Sequence, residues 1–245
     1  MADQTELDEF IAQHRAFLGF LLDWRGSLQP ISLGKLVESA GAPDRVAIAC
    51  VDLIKGFTTQ GPLASPRVAA IVPAVAALFE KAHAAGVRDF VLLQDAHPAD
   101  SLEFESYGPH CAVGSPESET VDELARLPFA SEFTILPKET VSAAVGTGLD
   151  DWVDEHPDTR AFIVVGDCTD ICVYQLAMHL RTRSIADKRR REVIVPEDCV
   201  QTYDLAPAAS PGGTAEVMPH DGDLLHLVFL YHMALNGIRV VSAVR

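Results

Sequence analysis

Basic residues are scarce: 19 Lys and Arg stand against 35 Asp and Glu, a formal net charge of −16. A surface of that sign repels phosphate backbones and anionic headgroups, which argues against nucleic acid and membrane as partners. Long apolar runs are missing too. None approaches a membrane span, and Met1-Ala2-Asp3-Gln4-Thr5-Glu6 is polar and acidic where a secretory or transit segment would be basic and then apolar. The five cysteines are an odd count without a Cys-x-x-Cys pair. That speaks against a disulfide framework or a thiolate zinc site and for free thiols in a reducing, cytoplasmic setting.

What is present is a repeated grammar. In 245 residues of 48% hydrophobic composition, enough for one substantial core, short apolar runs alternate with helical patterns. The runs are Val46 to Asp52, Asp89 to Asp95, Glu132 to Pro137, Ala161 to Val165, Glu192 to Asp198 and Ile238 to Val244. Each is apolar almost throughout, as a strand covered on both faces must be. The expected architecture is therefore α/β, a three-layer αβα domain with a six-stranded, mainly parallel sheet over 46–245. Residues 1–45 read as an extension: an amphipathic helix from Leu7 to Trp24, suited to packing or subunit contact, then a Gly- and Pro-rich connector. One long helix is expected from Ser65-Pro66 to about Ala85, another from Asp221 to Leu235, and a flexible loop at 206–213.

In open parallel sheets ligands sit at the carboxyl ends of the strands. Those ends carry Asp52, Asp95, Lys138 and Asp167-Cys168, with Cys172 one helical turn further on. Thr169-Asp170 offers a helix N-cap, which places Cys172 in the first turn, where the helix dipole favours a thiolate. A packing role for such a cysteine is the simpler reading. The neighbours change it: Asp52 can take the thiol proton, Lys138 can hold the thiolate and orient the aspartate, and the N–H groups of Cys168 and Cys172 can form an oxyanion hole. Together they make a set for acyl transfer through a thioester.

The loop after the second strand adds Asp95, His97, Glu103 and His110, mixed oxygen and nitrogen ligands suited to zinc, iron or manganese; the plainer alternative is exposed loop histidines. Cys50, Cys111 and Cys199 read as packing residues. His83, His179, His220, His226 and His232 lack ligand spacing and read as solvated or satisfied, and Lys188 to Arg191 as a solvated turn or a subunit contact.

Gly166-Asp167-Cys168-Thr169-Asp170-Ile171-Cys172-Val173 resembles the Gly-x-x-Thr-Asp-x-Cys-Val signature of the isochorismatase-like cysteine hydrolases, and the order Asp52, Lys138, Cys172 resembles that family's triad. Asp95-x-His97 with Pro109-His110-Cys111 is similar to the nicotinamidase-related, metal-binding branch. That resemblance implies a small amide substrate such as nicotinamide, a divalent metal holding the pyridine nitrogen, and Glu103 as a fourth, acidic ligand. It also implies Phe57 and Tyr107 packing on the substrate ring, and a cis peptide at Asp167–Cys168. The segment Lys138-Glu139-Thr140-Val141-Ser142-Ala143-Ala144 departs from that branch in lacking its aromatic, which leaves another small amide, or a ureido, maleamate-like or isochorismate-type substrate, open. A homo-oligomer is expected from the N-terminal helix.

Overall fold

The computed structural model describes residues 3–206 and 218–245, so most of the loop expected at 206–213 lies outside the described residues. The chain begins with helices α1 (Gln4–Gly26) and α2 (Leu33–Ala40), then strand β1 (Val46–Val51), short helices α3 (Lys55–Thr58) and α4 (Pro66–Ala69), and α5 (Val72–Ala84). Strand β2 (Asp89–Asp95) is followed by α6 (Phe104–Tyr107), α7 (Asp122–Ala125), β3 (Thr134–Lys138), α8 (Leu149–Glu155), β4 (Ala161–Asp167) and α9 (Cys172–Ala186). Strands β5 (Glu192–Pro196) and β6 (Val200–Gln201), helix α10 (Gly222–Leu235) and β7 (Arg239–Val241) complete it.

The sheet order is β3-β2-β1-β4-β5-β7, all parallel, with the two-residue β6 pairing β4. The expected six strands are present; β6 is too short to leave a periodic trace in sequence. All six residues of β1 are buried because both faces are covered. Ile48 and Cys50 point into one apolar layer with α2 and α5, and Ala47, Ala49 and Val51 into the other with α8, α9 and α10. The helix expected from Ser65 to Ala85 is broken at Ala70-Ile71, between α4 and α5. Pro73 accounts for the break: it carries no N–H, so it fits the first turn of a new helix and not the middle of an old one.

The connector after α1 is tied into the sheet layer. Ile31 pairs with Val244, Leu33 N–H donates to the Arg245 carbonyl at 2.7 Å, and Leu33, Leu36 and Ala40 join the core. Helix α1 lies on α10, where Phe17, Phe20 and Trp24 meet the Tyr231 ring edge-on. Much of its apolar surface is uncovered: Phe10 is 62% and Leu22 60% exposed. No helix among the described residues is long and apolar enough to cross a membrane.

Gly166 fixes the β1–β4 contact that the site needs. It has φ +118°, and a Cβ built there would stand 1.9 Å from the Val51 carbonyl oxygen. Gly166→Ala is expected to lower unfolding free energy by about 4 kcal/mol or more, or to abolish soluble expression, because backbone must move on both strands; urea unfolding measures it.

Candidate active site

The register brings the strand ends together. Asp95 and Lys138 are Cα partners across β2 and β3, and Val51 is level with Leu93 and Gly166. Asp52 follows β1 with φ 56°, a left-handed conformation that a non-glycine residue rarely holds unless its surroundings enforce it. Its N–H donates to Leu93 O, and its Oδ1 accepts from the Asp95 N–H at 3.0 Å. The Lys138 ammonium, fully buried, lies 2.8 Å from Asp52 Oδ2, donates to Asp95 Oδ1 and to Thr140 O, and stands 3.9 Å from Cys172 Sγ.

One ammonium therefore serves two buried carboxylates, and they separate in proton affinity. For Asp95, burial is outweighed by Lys138 and the two histidines, so its carboxyl is held below the usual range. For Asp52, burial and the Asp95 charge win over Lys138 and push it up to about 7. The same surroundings raise Lys138 well above its ordinary value, since two carboxylates and the thiol outweigh burial. Cys172 corrects an expectation. The helix start does not deliver a resting thiolate: burial, with Asp52 and Asp95, pushes the thiol well up despite Lys138. The thiol form is favoured, and the Asp52 carboxyl, bound to the same Lys138 ammonium that faces the sulfur, is the base at hand.

Cys172 opens α9, but Thr169-Asp170 does not cap it. The cap position is Ile171, with no side-chain bond, because Thr169 and Asp170 are engaged by histidines from the C-terminal segment. Among the described residues neither the Cys168 nor the Cys172 N–H has a hydrogen-bond acceptor, as an oxyanion hole requires. The Asp167–Cys168 peptide is cis. A mainly apolar cavity of about 240 Å³ opens over the sulfur; Phe57, Tyr107, Ile171 and Tyr203 are among its walls, and among the described residues no lysine or arginine lines it.

Beside this set, ligand atoms of Asp95, His97 and His110 lie within 4.8 Å of one another. His97 Nε2 is buried without a hydrogen-bond partner, 3.4 Å from Asp95 Oδ2. His110 Nδ1 donates to Gly108 O at 2.8 Å, which turns its Nε2 toward Asp95 Oδ2, 3.8 Å away. The backbone bonds of His97 to Cys111 and Val113 hold the two histidines together. An orphaned imidazole nitrogen, a second oriented by its other nitrogen and a carboxylate fit a borderline divalent cation. Glu103 is not in that group. It lines the cavity, and its Oε2 accepts from the Val141 N–H at 3.2 Å.

Fold and site thus define an open parallel α/β protein with a buried thiol, carboxylate and ammonium beneath an apolar cavity. The isochorismatase domain model matches residues 46–210, and the chain belongs to the isochorismatase family. "Nicotinamidase 1" of Arabidopsis thaliana is 31% identical over 160 residues, 61% of this chain; the match spans 64% of that protein, less than two thirds of its length. N-carbamoylsarcosine amidase from Thermoplasma acidophilum has the same fold (23% identity, TM-score 0.60, 80% of this chain and 95% of that one). So does the pyrazinamidase of Pyrococcus horikoshii in complex with zinc (24%, TM-score 0.60, 80% and 98%).

Two histidines that read as ordinary in sequence brace the nucleophile loop. His226, on α10, meets Thr169 Oγ1 through Nδ1 at 2.8 Å, and His220 meets Asp170. No spacing in the sequence ties them to residues some 50 positions earlier. Burial, with Arg25 and Arg67, lowers His226 to about 4, so it is neutral when folded. Below about pH 6.5 the unfolded chain takes up a proton there that the folded chain refuses, so stability present above pH 6.5 is lost as pH falls toward 4. The loss from this group is about 3 kcal/mol at 1.36 kcal/mol per pH unit. Urea midpoints from pH 7.5 to 4.5 should fall less steeply in His226→Gln than in the parent.

Proposed function

We propose that the protein is a metal-dependent cysteine amidohydrolase that converts nicotinamide, or a close neutral analogue, to nicotinic acid and ammonia. The observation that carries this reading is the Lys138 ammonium held between Asp52 and Asp95, 3.9 Å from the Cys172 sulfur. Asp52 takes the thiol proton as Cys172 Sγ forms a bond to the amide carbon, and the N–H groups of Cys168 and Cys172 receive the developing oxyanion. The carbonyl re-forms, the carbon–nitrogen bond breaks, and Asp52 returns its proton to the leaving nitrogen as ammonia. A water then gives a proton to Asp52 while its oxygen attacks the thioester carbon; the carbon–sulfur bond breaks and the thiol is restored. An affinity near 7 lets one carboxyl serve as acceptor and donor at neutral pH. Lys138 stays charged and holds Asp52 in place.

Asp95, His97 and His110 would hold the metal, and zinc suits the donor set, as do iron and manganese. Bound there, the ion supplies a Lewis-acid contact for a ring nitrogen. Phe57 and Tyr107 pack on the ring. The apolar lining without lysine or arginine favours a neutral substrate over carboxylate-bearing maleamate-like or isochorismate-type compounds. The stretch 31% identical to a nicotinamidase supports the same choice. Five free, buried cysteines agree with a reducing, cytoplasmic setting, and the uncovered apolar side of α1 suits a homo-oligomer.

Purified protein should release ammonia from nicotinamide, and Cys172→Ala should lower kcat by about 10⁴-fold or more with the fold retained. His97→Ala should copurify with less metal by elemental analysis, and no ammonia from nicotinamide or any small neutral amide would sink the reading. Sedimentation equilibrium should give a multiple of the chain mass for the parent and a smaller species for the double variant Phe10→Glu, Leu22→Glu.

A further inference from the structure

Both ring nitrogens of His220 face acceptors. Nε2 lies 2.7 Å from Asp170 Oδ2 and Nδ1 lies 3.0 Å from the Tyr203 carbonyl. A carbonyl and a carboxylate only accept, so both bonds stand together when the ring carries both protons. The ring also stacks on Tyr203, with centroids 4.0 Å apart at 20°. Leu205 and His220 exchange both backbone hydrogen bonds at 2.8 Å, and the Gly222 N–H donates to Asp204 Oδ1 at 2.9 Å. A Cβ on Gly222 would come within 2.5 Å of the Tyr203 carbonyl, so the two segments touch backbone to backbone.

The groups that His220 joins belong to different parts of the site. Tyr203, Asp204 and Leu205 form one wall of the cavity. Asp170 lies in the loop whose ends, Cys168 and Cys172, offer the two free N–H groups. Its side chain is 6% exposed, its Oδ1 has no hydrogen-bond partner among the described residues, and the His220 ring is paired with its Oδ2. We propose that His220 is a positioning residue for the reaction, its imidazolium tying the Tyr203–Leu205 wall to the loop between Cys168 and Cys172, so that substrate wall and oxyanion donors keep one spacing. This rests on the cysteine-hydrolase reading above.

The charges facing His220 favour the imidazolium. Asp170 comes from the nucleophile loop and Asp204 from the wall; Asp221 and Asp223 follow on its own segment, and Arg67 of α4 is engaged by Asp223 at 2.7 Å. Burial acts against the charge, but Asp170 outweighs it and holds His220 above its ordinary value. The tie therefore stands below that raised value and weakens as pH rises through it.

Nicotinamide hydrolysis from pH 5.5 to 9 is measured in the parent, His220→Gln, Asp170→Asn and the double variant, with melting temperatures alongside. Each single variant should lower kcat about 10- to 100-fold and raise KM several-fold, the scale expected of misplaced reacting groups. The double should be no worse than the poorer single by more than about threefold, because both remove one tie. The parent's alkaline decline should shift or vanish in both single variants. Additive losses, an unchanged pH profile, or losses that simply follow the melting temperature would overturn the proposal. Asp170→Asn keeps shape and volume and carries the test if His220→Gln does not fold. If the parent releases no ammonia, the substrate reading fails by itself, and the rate of Cys172 alkylation by iodoacetamide replaces turnover. A change of about fivefold or more in His220→Gln supports the tie, and an unchanged rate overturns it.

Discussion

Everything at the carboxyl end of the sheet depends on one buried ammonium shared by two carboxylates. Lys138 has no solvent contact, and its charge is compensated by Asp95, from the neighbouring strand β2, and by Asp52, from the end of β1 one strand further in. Breaking a buried pair strands a charge in low dielectric at a cost of about 3–5 kcal/mol, so the three strand ends are fixed in register by electrostatics as well as by the ladder. The sharing also creates the chemical asymmetry. Asp95 is held ionised by Lys138 and the histidines, while Asp52, facing the Asp95 charge, binds a proton near neutrality. The proposed mechanism uses that difference: Asp95 would orient cations, and Asp52 would move a proton.

Asp95 is the hinge between the two halves of the site. Its Oδ1 accepts from Lys138, and its Oδ2 faces His97 and His110. A cation at the histidines and the ammonium at Lys138 would draw on the same carboxylate, so metal occupancy bears on the proton affinity of Asp52 one step away. Burial, with Asp52 and Asp95, raises the Cys172 thiol further than Lys138 lowers it, so the proposed mechanism pairs a neutral thiol with a nearby carboxylate.

The loop before Cys172 is held from outside the sheet. Thr169 and Asp170, which in sequence look like a helix cap, turn toward His226 and His220, and α9 starts from Ile171 without a side-chain cap. The two histidines are shifted in opposite directions: burial near Arg25 and Arg67 lowers His226, while Asp170 and the Tyr203 carbonyl raise His220 against its burial. Residues near the C-terminus thus contact a loop that lies early in the fourth crossover.

The alternation of apolar runs and helical patterns determined the layered parallel sheet, because a strand buried on both faces admits almost no polar residue; Val46 to Val51 shows it without exception. The same reading placed Asp52, Asp95, Lys138 and Cys172 at strand and helix ends, since such ends are where an apolar run stops. Local pattern was also enough to gather Asp95, His97 and His110. It missed β6, whose two residues carry no period, and the break ahead of Pro73 inside an alanine-rich run. Only the tertiary structure decided which carboxylate keeps its proton, that Cys172 rests as a thiol, that Glu103 turns to the Val141 N–H, and that His220 and His226 reach back to Thr169 and Asp170. Those outcomes depend on burial and on distances between residues remote in the chain, and a one-dimensional pattern records neither.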